Sequence, residues 1–99
     1  MSEGKKKIKP DNTTYLQTQV HEPVEVIAHF HNLKIDILKF KWNNQVYKVD
    51  RVTNRWKISN GDGFLTRFLV ICEKQEVICE LSFNNIDMKW ELVQYDNLV

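Results

Sequence analysis

The chain has 99 residues, of which 42% are hydrophobic and 11% aromatic, and its formal net charge is +1 at pH 7. This length favours a single domain, because chains usually divide into several domains only at a few hundred residues. Two cysteines are too few for a disulfide-rich secreted scaffold, and no apolar run approaches the ~20 residues of a membrane span. Because no hydrophobic segment follows the N-terminal lysines as a secretory signal would require, we expect a cytoplasmic protein without a membrane partner.

Positive charge is concentrated in the middle of the chain. Residues 34–67 hold eight basic and three acidic residues, a net +5, whereas residues 68–99 hold two basic and six acidic residues, a net −4. Either basic and acidic strands pair across a sheet, or a positive face attracts an anionic partner. Pairing within the sheet is favoured, because residues 21–99 as a whole carry a net −1.

Residues 1–20 are predicted to be a disordered basic arm, and residues 21–99 to be a single small β domain. The arm contains four lysines and a proline, and it shows no apolar period. A basic arm can contact nucleic acid, but lysines near a terminus are more often simply solvated.

A first hairpin is predicted from the alternation of apolar and polar residues that begins at Val24. A tight turn at Asn32-Leu33 sets the register. The expected cross-strand pairs are Phe30–Ile35, Ala28–Ile37 and His29–Asp36. The alternation then changes phase at Ile37-Leu38, and since a two-residue period cannot skip a step, we predict a β-bulge there.

A second hairpin is predicted at Asn43-Asn44, because asparagine tolerates the positive φ of a two-residue turn. Pairing Phe40 with Tyr47 places Lys39 opposite Lys48. The expected core face consists of Leu38, Phe40, Trp42, Tyr47 and Val49. Residues 52–58 continue the second strand of this hairpin.

The rest of the chain is predicted to continue as antiparallel strands. Residues 59–63 are a loop by composition, and strands at 64–73, 76–83 and 88–95 follow it. The register expected for the first two places Cys72 opposite Val77, Val70 opposite Cys79 and Phe68 opposite Leu81. In the last strand, Met88, Trp90 and Leu92 are expected to face the core. The result is an all-β antiparallel meander of about six strands, forming a strongly bent sheet or a small partly open barrel.

The leading functional hypothesis is a non-catalytic protein-interaction or self-association module. The last three predicted strands are apolar on both faces, and large apolar patches seldom remain exposed on monomers. The candidate protein-interface residues on the outer face are Leu65, Leu69, Ile71, Ile78, Val93 and Tyr95. A protein partner or a second copy of the chain is favoured there over the N-terminal arm, which would use Tyr15, Leu16 and Val20.

The alternative hypothesis is a nucleic-acid-binding accessory module. The candidate face for an anionic partner consists of Lys39, Lys41, Lys48, Arg51, Arg55 and Lys57. Lysines directly opposite each other cost a few tenths to about 1 kcal/mol, but they are useful where a face meets phosphates. Small barrels bind single strands by combining charge with aromatic platforms. Here the aromatic residues are expected on the face opposite the lysines. Trp56 is the exception, because the predicted register does not determine on which face it lies.

The histidines are predicted to lie on an exposed polar face rather than in a metal site. His29 and His31 share one face of a strand, a spacing that occurs in zinc and iron sites. A third ligand is needed, and His21 lies eight residues before His29, at the edge of the segment predicted to be disordered. Asp36 is expected to form an ordinary cross-strand pair with His29.

No residue set predicts catalysis or a cofactor, and we therefore expect a protein that is not an enzyme. Cys72 lies among apolar residues, which suits a buried, inert thiol, and Cys79 lies diagonal to it. Gly61-Asp62-Gly63 is not followed by a helix N-terminus, so a turn is favoured over a phosphate-binding loop.

Residues 40–95 contain the motifs Phe40-Lys41-Trp42, Tyr47-Lys48-Val49, Val52, Arg55-Trp56, Gly61-Asp62-Gly63 and Lys89-Trp90-Glu91-Leu92. Through these motifs the segment resembles a bacterial family of small β proteins of unknown function that is encoded near translesion (Y-family) DNA polymerases. The resemblance implies a small β fold and a role near DNA replication or repair. It implies no catalytic residues.

Overall fold

A computed structural model describes residues 16–98, which form an all-β domain of eight antiparallel strands. The strands are β1 (Thr18–Pro23), β2 (Glu25–His31), β3 (Lys34–Trp42), β4 (Gln45–Lys48), β5 (Arg51–Asn60), β6 (Gly63–Cys72), β7 (Val77–Asn84) and β8 (Lys89–Asn97). No helix in this part of the chain is long and apolar enough to cross a membrane.

The strands form two sheets, one of five strands in the order β1-β8-β7-β6-β5 and one of three in the order β2-β3-β4. The chain passes between the sheets at Pro23-Val24 and again at Val49-Asp50, where the Val49 N–H donates to Leu38 O at 3.0 Å and the Asp50 N–H to Ile71 O at 2.8 Å. The predicted all-β antiparallel fold is confirmed. The predicted count of six is too low, because β1 was not anticipated and the crossing at Val49-Asp50 divides one predicted strand into β4 and β5. The two sheets do not close into a barrel.

β1 corrects the boundary of the predicted N-terminal arm. Thr18 pairs with Tyr95 and Gln19 with Gln94 of β8, so strand structure begins before residue 20. The sequence TQVHEP contains one apolar residue, Val20, and its period of two therefore could not be recognised. The predicted disorder of residues 1–15 lies outside the described residues.

The core lies between the two sheets. Phe40 of the small sheet and Phe68 of the large one are both 1% exposed. The buried cluster consists of Ile37, Phe40, Phe68, Val70, Cys72, Cys79, Leu81, Phe83 and Leu92. Burying each large apolar side chain contributes about 1.5–3 kcal/mol, and this term holds the small sheet against the large one.

The hairpin registers predicted from the turns are confirmed. Every expected pair of the first hairpin is present, and Phe40 lies opposite Tyr47 and Lys39 opposite Lys48 in the second. The β6–β7 pairs Cys72–Val77, Val70–Cys79 and Phe68–Leu81 are also present. Asn32, Leu33, Asn43 and Asn44 all have positive φ between 50° and 62°, as two-residue hairpin turns require.

The predicted β-bulge is confirmed at Leu38. Ile27 pairs with Lys39 and Ala28 with Ile37, so Leu38 has no partner in β2. The prediction that Leu38 belongs to the core face is wrong, because the bulge turns it outward and leaves it 50% exposed.

A second bulge lies in β8 and was not predicted. Leu81 pairs with Leu92 and Glu80 with Gln94, which leaves Val93 as the extra residue. The phase change returns Tyr95 to the inner side, where its ring centroid lies 5.5 Å from that of Trp42. The predicted placement of Tyr95 on the outer face is therefore wrong.

Two turns also differ from the prediction. Gly61, with φ of 65°, and Asp62 form a tight turn, because β5 reaches Asn60 and β6 starts at Gly63. The predicted loop at 59–63 is thus mostly strand. Met88 belongs to the turn before β8 and is exposed rather than part of the core.

Candidate functional site

The outer face of β6–β8 is closed rather than exposed. Leu69, Ile71 and Val93 are only 4–8% exposed, and Leu65 and Ile78 are half-buried. These five residues lie where the sequence predicted an apolar interface. They do not form an exposed apolar patch, so the sheet offers little free apolar area there.

A buried polar network runs across this outer face. Glu80 is 2% exposed, and its carboxylate accepts hydrogen bonds from Arg67 Nη1 and from Gln94 Nε2, both at 2.6 Å. Arg67 Nε also donates to Ser82 Oγ at 3.0 Å. Gln94 Oε1 accepts a 3.0 Å hydrogen bond from the backbone N–H of buried Leu16. The sequence prediction missed this network, although Arg67 and Glu80 occupy positions on the same face as the apolar outer residues.

The three arm residues that were the alternative cover for this face behave differently. Leu16 contacts it through Gln94. Val20 packs against the core cluster instead, on the inner side. Tyr15 lies outside the described residues.

The six basic candidates are divided among three places on the surface. Lys39, Lys41 and Lys48 are exposed on β3 and β4. A depression of about 210 Å³ on this face is lined by Glu25, Ile27, Lys39, Phe40, Lys41 and Val46. Arg51 lies at the start of β5 and forms an exposed ion pair with Glu73 at 3.0 Å.

Arg55 and Lys57 line a different feature, a cleft between the two sheets. The β5–β6 register places Arg55 opposite Phe68 and Lys57 opposite Thr66, on the inner face of the large sheet. The turn between β2 and β3 borders the other side. The cleft has a volume of about 380 Å³ and is lined by Leu33, Lys34, Ile35, Arg55, Trp56, Lys57, Phe64, Thr66, Phe68, Phe83 and Asn85.

The cleft combines positive charge with aromatic side chains. Lys34, Arg55 and Lys57 contribute three cations, and among residues 16–98 no lining residue is acidic. Lys57 Nζ lies 4.5 Å from the centroid of the Phe64 ring, within the range of a cation–π contact. Sequence reasoning missed Lys34 and Phe64, because the contact between two sheets leaves no local period. Trp56 borders the cleft, although it pairs with Arg67 and so belongs by register to the outer face.

Arg55 connects the cleft to a cluster of titratable residues on the first hairpin. Its Nη2 donates to Ile35 O at 3.3 Å and to Asp36 Oδ1 at 3.5 Å. His31 Nε2 lies 2.6 Å from Asp36 Oδ2, and the His29 and His31 rings stack with centroids 4.5 Å apart. The hydrogen bond from His31 lowers the pKa of the Asp36 carboxyl, and the positive charges of Lys34, His31 and Arg55 add to this effect.

The two cysteines are buried and reduced. Cys72 is fully buried and Cys79 is 2% exposed. The hydrogen bond with Cys72, together with burial, raises the pKa of the Cys79 thiol far above its usual value. A thiol held in its neutral form is a poor nucleophile, so Cys79 is inert at neutral pH.

No protein-family model, no curated protein and no solved structure matches this chain, and the candidate sites therefore rest on its own geometry.

Proposed function

We propose that this β domain is a non-catalytic module that binds single-stranded nucleic acid in the cleft between its sheets. The observation that carries the proposal is the set of three basic side chains, Lys34, Arg55 and Lys57, placed beside Phe64 in a cleft whose described lining contains no acidic residue. Proteins bind single strands by neutralising the backbone phosphates and stacking the bases on aromatic rings. The cleft offers both a cation and an aromatic ring at close range, since Lys57 Nζ lies 4.5 Å from the centroid of the Phe64 ring.

The size and position of the cleft support a short strand segment as ligand. Its volume of about 380 Å³ lies at the lower end of the roughly 300–1,000 Å³ of typical ligand pockets. The β2–β3 turn borders it, and Leu33 in this turn is fully exposed. Bound bases would contact Phe64, and the adjoining phosphates would meet Arg55 and Lys57.

A biological setting in bacterial DNA repair or replication, in the cytoplasm, is part of the same proposal. It follows from the resemblance of residues 40–95 to the family encoded near translesion polymerases. The three cations that line the cleft all belong to residues 34–67, the segment that carries a net +5.

The test is a titration of fluorescent single-stranded and duplex oligonucleotides with the full chain, at low and moderate salt. We expect binding of the single strand that weakens steeply with salt, because counterions are released from each neutralised phosphate. Phe64→Ala should weaken binding by about 1–3 kcal/mol, the usual contribution of one stacked base. Absence of binding to the single strand at low salt would remove the proposal.

A matched pair of double variants locates the site. Arg55→Gln with Lys57→Gln removes two charges from the cleft, and Lys39→Gln with Lys48→Gln removes the same charge from the outer face of the small sheet. The first pair should reduce affinity much more than the second. Equal losses would show that binding depends on overall charge and not on the cleft.

Binding of a protein partner is a second candidate function. Its surface would lie on the small sheet and not on the outer face of β6–β8. Ile27, Leu38 and Val46 are each about half exposed, and Lys39 and Lys41 lie between them. This face would suit an apolar, acidic protein surface or a second copy of the chain. Self-association predicts a dimer in sedimentation equilibrium that Val46→Glu converts to a monomer. A monomer at every concentration would exclude self-association.

A further inference from the structure

The first hairpin gathers three metal-ligating side chains on one face. His29 and His31 are two residues apart on β2 and so point to the same side, and Asp36 of β3 lies directly opposite His29. One ligand atom from each residue can be chosen so that the three atoms all lie within 4.8 Å of one another. The bulge at Leu38 follows immediately, and so does not disturb this register.

From this arrangement we propose that His29, His31 and Asp36 bind one divalent transition-metal ion, with Zn²⁺ as the reference ion. Two imidazoles and one carboxylate form a donor set that zinc accepts, and zinc sites with three protein ligands keep the fourth position open for water. The side chains of His31 and Asp36 are each 37% exposed, which leaves room for that water and a path for the ion. None of these three side chains lines the proposed nucleic-acid cleft, although Arg55 joins the two, and the proposal does not rest on nucleic-acid binding.

Binding requires a small rearrangement of side chains. His31 Nε2 and Asp36 Oδ2 are 2.6 Å apart, a hydrogen-bond distance. Around a tetrahedral zinc ion with bonds of about 2.0–2.2 Å, neighbouring donors are ~3.3 Å apart. The ion therefore replaces the proton between these two atoms. A neutral His31 then carries its proton on Nδ1, whereas a protonated His31 releases one proton to solvent. The backbone does not need to move, since all three residues already share one face.

Two nearby cations limit the affinity. Lys34 lies opposite His31, and Arg55 Nη2 lies 3.5 Å from Asp36 Oδ1. Arg55 uses the oxygen of Asp36 that does not face His31, so Oδ2 stays available as a single ligand atom. Repulsion between these positive charges and the ion favours a site of moderate affinity.

The test uses the full chain without an affinity tag, stripped of metal with a chelator and then titrated with Zn²⁺ by calorimetry and with Co²⁺ by visible absorption. We expect one ion per chain and d–d absorption of the cobalt form. His29→Ala, His31→Ala and Asp36→Asn should each weaken binding by at least the 10–100-fold that loss of an outer-shell partner typically costs. His21→Ala is the matched control, because His21 is the remaining histidine of the chain and lies on β1, hydrogen-bonded to Glu91.

Thermal unfolding separates loss of the site from loss of the fold. Saturating Zn²⁺ should raise the Tm of the wild type and of His21→Ala, and leave the Tm of His29→Ala and His31→Ala unchanged, because an ion that binds the native state stabilises it. The proposal is wrong if the wild type takes up no stoichiometric ion. It is equally wrong if the His29→Ala and His31→Ala proteins bind Zn²⁺ as tightly as the wild type.

Discussion

Arg67 and Glu80 form an ion pair on the outer face of the five-stranded sheet, with Arg67 Nη1 2.6 Å from Glu80 Oε2. The Glu80 side chain is 3% exposed and that of Arg67 21% exposed, so a carboxylate lies in surroundings from which water is almost excluded. Gln94 donates a further hydrogen bond to the same carboxylate. Such a charge is tolerated only because its partners are in place.

Removing one member of this pair should destabilise the fold strongly. Glu80→Ala removes the carboxylate that accepts from Arg67 Nη1 and from Gln94 Nε2, and we expect a loss of about 3 kcal/mol in the free energy of unfolding. The measurement is equilibrium unfolding in urea. Glu73→Ala is the control, because Glu73 forms an exposed pair with Arg51, of the kind that contributes about 0.2–1 kcal/mol. Equal effects of the two variants would contradict the burial of Glu80.

The β-bulge at Leu38 predicts that substitutions of Leu38 and of Phe40, two positions further along β3, differ sharply in their effect on stability. Phe40→Ala should cost about 3–5 kcal/mol, because it empties a fully buried position. Leu38→Lys should change the free energy of unfolding by no more than about 0.5 kcal/mol, because the bulge turns Leu38 to solvent. Urea unfolding of both variants checks this. A large loss for Leu38→Lys would mean that the register continues without the bulge.

Gly63, at the start of β6, should not accept a side chain. A Cβ atom there would lie 2.5 Å from Ile86 Cγ1 and 2.9 Å from Asn85 Oδ1. We expect Gly63→Ala to cost about 1–3 kcal/mol, the usual penalty for overpacking. Ile86 is exposed, so Ile86→Ala alone should be nearly neutral. In the double variant it should restore most of the loss, and failure to do so would show that the Ile86 contact is not the cause.

The Asp36 carboxylate should make stability depend on pH at the acid end. Its pKa is lower in the folded chain than the unfolded value of about 3.9, chiefly because of the hydrogen bond from His31. The contribution is therefore complete above about pH 4 and is lost as the pH falls through the folded pKa. Asp36→Asn should be less stable than the wild type at neutral pH, and the difference in the free energy of unfolding should shrink below pH 4. A difference that is constant down to pH 2 would contradict this.

Local patterns were sufficient to predict the hairpins. Asn43-Asn44 is a turn by its chemistry alone, and the phase change at Leu38 is visible as a break in a two-residue period. The turn and the bulge both depend only on residues within a few positions in sequence. The β6–β7 register could be predicted for the same reason.

Long-range features were missed because they leave no local pattern. β1 is almost entirely polar, and only its pairing with β8 makes it a strand. The bulge at Val93 lies inside a continuing alternation, so Tyr95 was placed on the wrong face. The cleft depends on how the β2–β3 turn approaches β5 and β6, which no spacing within one strand encodes.

The pairing of β1 with β8 has a consequence for biosynthesis. The backbone N–H of Leu16 meets Gln94, 78 positions further along the chain. During translation β1 leaves the ribosome long before β8, and it cannot form its ladder until β8 is available. Contacts between residues so distant in sequence slow folding, since the loop between them must close first. The edge of the large sheet is thus completed last, and a nascent chain halted before β8 would expose the β7 edge and leave β1 unpaired.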